Sequence, residues 1–72
     1  MRIGDKVRIN AAFHLRKFRG QTGTIEDIAI YKDGSDGYTA KIKIKFDSPI
    51  ESSFDRDIHW IWMDAQFVED IV

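Results

Sequence analysis

The sequence predicts an all-β domain, five short antiparallel strands curled into a small closed barrel. Three observations predict it. Tyr38, Ala40, Ile42, Ile44 and Phe46 alternate strictly with Thr39, Lys41, Lys43 and Lys45, the period of a strand with one buried and one wet face. The remaining apolar stretches are short and separated by glycine- and aspartate-rich joints. The chain has 72 residues, room for one domain over residues 1–72. Closure removes the bare edges that a flat sheet of this size would leave.

Each element follows in order. Lys6-Val7-Arg8-Ile9 alternates and predicts a first strand from Asp5 to Asn10. A second runs from Thr22 to Tyr31. Its apolar positions shift from odd (Ile25) to even (Ile28, Ile30), which predicts a β-bulge near Glu26-Asp27. Asp33-Gly34 and Asp36-Gly37 are turn chemistry, so this strand and the third, Tyr38 to Phe46, form a long hairpin. Ser48 to Asp57 is polar and acidic, holds Pro49, and reads as a loop. Ile58 to Met63 is aromatic and β-branched, a fourth strand. Asp64-Ala65-Gln66 fits one short 3-10 turn capped by Asp64, and Val68 to Val72 a last strand. The expected core is Val7, Ile9, Ile25, Ile28, Ala40, Ile42, Ile44, Phe46, Ile61, Val68 and Ile71.

Composition narrows the function classes. Hydrophobic residues make up 43% and charged residues 32%, the balance of a folded chain. The net charge of -1 excludes a strongly basic DNA-coating protein. Cysteine is absent, which excludes disulfides, thiolate metal sites and a cysteine nucleophile. No apolar run approaches a membrane span and Met1-Arg2-Ile3-Gly4-Asp5 is no signal peptide, so the expected location is cytoplasmic. His14 and His59 form no His-Glu-x-x-His motif. No Gly-x-Ser-x-Gly elbow or phosphate-cradling Gly-Lys-Ser/Thr is present. Asp33, Ser35 and Asp36 lack calcium-loop spacing, and Asp55 and Asp57 read as solvated acids. The expectation is a non-enzymatic protein with no cofactor and no metal.

Gly4-Asp5-Lys6-Val7-Arg8-Ile9, followed by Gly20-Gln21-Thr22-Gly23-Thr24-Ile25, resembles the KOW motif. The close, Val68-Glu69-Asp70-Ile71 behind a 3-10 turn, resembles the last strand of SH3-like barrels. The resemblance implies an SH3-like five-stranded barrel. The first functional reading is a small non-enzymatic binding or accessory module that contacts nucleic acid or a nucleoprotein complex; the alternative is a protein–protein adaptor or small subunit. The first loop, Asn10 to Arg19, is longer than in KOW segments. In that respect the chain is similar to stand-alone SH3-like barrels that dock redox partners as subunits of larger complexes. Residue chemistry accounts for Gly20 and Gly23 independently: each stands where tight turning or close backbone approach needs a missing Cβ.

Charge is unevenly distributed. Residues 1–20 hold Arg2, Lys6, Arg8, Arg16, Lys17 and Arg19 against Asp5 alone, a net of +5. Residues 46–72 hold Asp47, Glu51, Asp55, Asp57, Asp64, Glu69 and Asp70 against Arg56 alone, a net of -6. Two candidate surfaces follow. Arg16, Lys17, Phe18 and Arg19 mix cations with an aromatic ring, which suits phosphates and an unpaired base, and Lys41, Lys43 and Lys45 could extend that track. Against this, Phe13 or Phe18 plugs the end of the barrel and the lysines are a solvated face. The alternative surface is Trp60 and Trp62, which share one side of the fourth strand. They either anchor a protein partner, as in an adaptor or a phage- or plasmid-type regulator, or fill space beneath loops.

Overall fold

The computed structural model describes residues 1–32, 34, 37–52 and 56–71. Five strands are present: β1 (Lys6–Ile9), β2 (Thr22–Lys32), β3 (Tyr38–Ile50), β4 (Ile58–Asp64) and β5 (Val68–Asp70). Short 3-10 turns at Arg16–Phe18 and Ala65–Phe67 are the only helical elements among the described residues, and none is long enough to cross a membrane. The strands form one antiparallel sheet in the order β4-β3-β2-β1-β5. β4 and β5 are its two edges. No ladder joins them among the described residues, so the sheet is open where the sequence predicts a closed barrel.

The alternation read in the sequence sets the register. Ile44 lies opposite Ile25 on β2 and Ile61 on β4, and Ile42 lies opposite Ile28 and Met63. The predicted bulge is there: the β2–β3 register shifts between Ile25 and Asp27, leaving Glu26 without a partner residue. Glu26 thereby joins Asp27 on the solvent side, and Ile28 returns to the core side. Asp33, Ser35 and Asp36 of the hairpin turn lie outside the described residues. Gly34 between them has φ +80°, the conformation glycine supplies without strain.

The core is Val7, Ile9, Phe13, Phe18, Ile25, Ile42, Ile44, Phe46, Ile50, Met63 and Val68. Four of these, Phe13, Phe18, Ile50 and Met63, stand beyond the expected list. Ile28, Ala40 and Ile61 are half-buried rather than buried. Ile71 is a correction: it is 39% exposed, because β5 ends at Asp70 and leaves that side chain past the sheet. The expected strand end at Val72 lies outside the described residues.

A second correction concerns Ser48 to Asp57. β3 continues through Ser48 and Pro49 to Ile50, which pairs with Ile58. Proline is tolerated because the β3–β4 register breaks between Lys45 and Ile50, where no ladder N–H is demanded of it. Ser53, Phe54 and Asp55 lie outside the described residues. A third correction concerns Asp64. It occupies the cap position of the second 3-10 turn but makes no capping hydrogen bond, since its carboxylate is committed to Lys41.

Both singled-out glycines are structural. Gly20 has φ +77°, and its N–H donates to the Ile9 carbonyl, turning the chain into β2. Gly23 lies between Val7 and Phe46 in the middle of the sheet. A Cβ there would overlap the Lys45 carbonyl oxygen and stand 2.6 Å from Ile44 Cγ2. Gly23→Ala should therefore force β2 and β3 apart and cost about 1–3 kcal/mol by denaturant titration. A cost near zero would mean that the two strands do not cross so closely.

Candidate binding surface

Residues 10 to 19 fold back over one end of the core. Asn10 anchors the segment: its amide donates to the Gln66 carbonyl and its N–H to that of Phe67, while its side-chain oxygen accepts from Ala12 N–H. Phe13 meets Phe67 edge-on at 5.3 Å between ring centroids, and Phe18 stacks on Phe46 at 5.7 Å. Phe18 is 2% exposed. Of the two roles the sequence offers for Phe18, the structure bears out the plug at the end of the core and removes Phe18 from the base-stacking set, because its ring faces are spent inside the protein. Arg16, Lys17 and Arg19 remain exposed. Arg19 Nε donates to the Phe13 carbonyl, and Lys17 Nζ lies 5.3 Å from the Phe18 centroid. Among the described residues no carboxylate pairs with Arg16 or Lys17.

The second surface is the solvent side of β2, β3 and β4. Ile61 and Met63 point inward, so strand alternation sends Trp60 and Trp62 outward, 52% and 38% exposed. Register then places them across from the lysines: Lys45 opposite Trp60, Lys43 opposite Trp62, Lys41 opposite Asp64. Lys43 Nζ sits 4.8 Å from the Trp60 centroid and 3.7 Å from Glu26 Oε2. Lys41 Nζ lies 2.6 Å from Asp64 Oδ1, and this ion pair supplies that otherwise unpartnered oxygen with its counter-charge. Lys45 is exposed, with no carboxylate partner among the described residues.

Tyr31, Lys41 and Trp62 line a shallow groove of about 250 Å³ running diagonally across the three strands. The sequence reading missed Tyr31. Counting parity outward from the bulge would have found it, since Asp27, Ala29 and Tyr31 all follow Lys43, Lys41 and Thr39 onto the outer face. The two candidate cation sets thus fall on different parts of the fold, one over the end of the core and the other on the sheet. Among the described residues, no cluster of three metal-ligating side chains occurs.

Near the basic strand β1, Asp47 accepts hydrogen bonds from Lys6 Nζ at 2.6 Å and Thr22 Oγ1 at 2.8 Å. The Lys6 bond, then the Thr22 bond, hold its carboxyl below the ordinary value of 3.8. A depressed carboxyl stabilises the fold above its unfolded value, and that contribution is lost as pH falls through the folded one. Lys6→Ala should move the Asp47 titration, followed by NMR, back up toward 3.8. An unmoved titration would contradict the pairing.

No family model, curated protein or solved structure matches this chain.

Proposed function

We propose that this chain is a non-enzymatic SH3-like barrel that serves as a protein-interaction module, with the Trp60–Trp62 face as its contact surface. The barrel reading is supported by the strand order β4-β3-β2-β1-β5 and by the 3-10 turn placed immediately before β5. The observation that carries the partner reading is the pair of exposed tryptophans set against lysines on a face whose charges cancel. Three lysines share it with three acids: Lys41 pairs with Asp64, Lys43 pairs with Glu26 and lies opposite Asp27, and Lys45 alone has no carboxylate partner among the described residues. A phosphate track needs uncompensated cations. A protein contact needs aromatic anchors with a polar rim, which this face has.

A second reading rests on Arg16 and Lys17, which lie on the most basic segment and lack carboxylate partners among the described residues. With two phosphates contacted, duplex DNA affinity would fall with salt at a slope of about -2 in log–log form.

One experiment separates the two. A photo-crosslinking phenylalanine analogue is placed at position 62 and, separately, at position 17 in cells. Protein adducts at position 62 that disappear with Trp60→Ala are expected. Nucleic-acid adducts at position 17 alone, together with salt-dependent binding in vitro at a slope near -2, would overturn the protein reading in favour of the second.

A further inference from the structure

We infer that Arg16 and Arg19 form a clamp for a phosphomonoester, carried by a phosphorylated side chain of a partner protein. The site lies over the end of the core, apart from the tryptophan face, and is a contact additional to that one.

Between Asp5 and Glu26 the sequence holds Lys6, Arg8, Arg16, Lys17 and Arg19 and no acid. Lys6 and Arg8 are satisfied within the fold, by Asp47 and Glu69. Arg16, Lys17 and Arg19 are exposed and have no carboxylate partner among the described residues. Side chains three positions apart eclipse in a 3-10 turn, so Arg16 and Arg19 share one side of it, about 6 Å apart along its axis. Arg19 N–H donates to the Arg16 carbonyl and its φ is -62°, which keeps that residue in step with the turn. Lys17 falls on another side, with its ammonium near the Phe18 ring.

The frame is fixed before any ligand arrives. Phe13 and Phe18, both buried, hold the turn against the core, and Gln21 N–H donates to the Phe18 carbonyl. Arg19 Nε donates to the Phe13 carbonyl, which orients its guanidinium and leaves both Nη groups for a ligand. The Arg16 guanidinium makes no ion pair among the described residues. Binding therefore orders little beyond the Arg16 side chain.

Charge and acceptor number decide the ligand. A phosphomonoester brings a charge of about -2 and three acceptor oxygens, enough for both guanidinium forks, whereas a carboxylate or a phosphodiester brings about -1 and two oxygens and fills one. A nucleic-acid strand also needs cations that continue beyond the turn. Lys6 and Arg8, the other cations of this segment, are committed to Asp47 and Glu69. Leu15 precedes Arg16 and is 42% exposed, an apolar contact for a residue flanking the phosphate, which favours a peptide over free phosphate.

The test adds four probes to the full chain: an otherwise neutral peptide with one phosphoserine, the same peptide with aspartate in its place, inorganic phosphate and oligothymidylate. The phosphopeptide is expected to shift the NMR signals of the amides of residues 14–19 and to bind at least about tenfold more tightly than the aspartate peptide. Arg16→Lys keeps the charge but loses the fork, and should weaken the phosphopeptide about tenfold at an unchanged melting temperature. Equal affinity for the two peptides would overturn the phosphomonoester, and undiminished binding by Arg16→Lys would overturn the clamp. Inorganic phosphate bound as tightly as the phosphopeptide would overturn the protein source. Oligothymidylate bound more tightly than the phosphopeptide through residues 14–19 would make nucleic acid the occupant and overturn the inference. The adducts at position 62 do not involve Arg16, so they test the tryptophan face separately.

Discussion

Replacing Phe18 with alanine is expected to cost about 3–5 kcal/mol of folding stability. The ring is 2% exposed, stacks on Phe46 and meets Phe13 edge-on at 6.0 Å between centroids. Truncation removes the middle member of that cluster and leaves a cavity beneath the 3-10 turn that carries Arg16 and Lys17. A domain of this length has roughly 4–11 kcal/mol of stability in total, so the variant should lie at or near unfolding. Phe18→Leu retains most of the volume and keeps the fold available for binding assays. The pair of variants decides the role of the ring. A core ring lowers the melting temperature in proportion to lost volume, and affinity for single-stranded DNA does not change while the protein is folded. A base-stacking ring would lose affinity at constant melting temperature.

Ile44→Ala comes next, at about 2–5 kcal/mol, because Ile44 is 1% exposed and spans the sheet between Ile25 and Ile61. The matching control is Lys45→Ala, one residue along and on the opposite face, which should change stability by no more than about 0.5 kcal/mol. Lys43 makes a poorer control, since its ammonium sits over Trp60 and pairs with Glu26. Chemical denaturation of the two variants checks the contrast. Similar costs would contradict the facing of β3.

The strands were legible because their physics is local. Tyr38 to Phe46 announces its faces through a period of two, and the slip from Ile25 to Ile28 announces the bulge. What the sequence hid depends on contacts between distant residues. Tyr38 obeys the alternation yet is 71% exposed, because that end of the hairpin extends past the core. Phe13 and Phe18 show no periodicity, so the sequence offers the plug only as one of two roles for them. Only the arrival of Phe46 and Phe67 from other elements makes them interior rings. Ile50 hid behind Pro49, which reads locally as a strand breaker. Of the candidate site, the shared side of Trp60 and Trp62 followed from spacing. Their exposure depended on which side Ile61 and Met63 would take, and their company with the lysines on the β3–β4 register.

The β1–β5 ladder carries a consequence for how the chain assembles. β2, β3 and β4 join neighbours in sequence, whereas Val7, Arg8 and Ile9 pair with Asp70, Glu69 and Val68, about sixty residues away. Closing so long a loop is entropically costly, and a ladder of three residue pairs to which β5 brings one buried side chain, Val68, returns little for it until the rest of the core is in place. The seam between the first and last strands is therefore the late step of folding and the early step of unfolding. The central meander is the part of the molecule that collapses first and opens last.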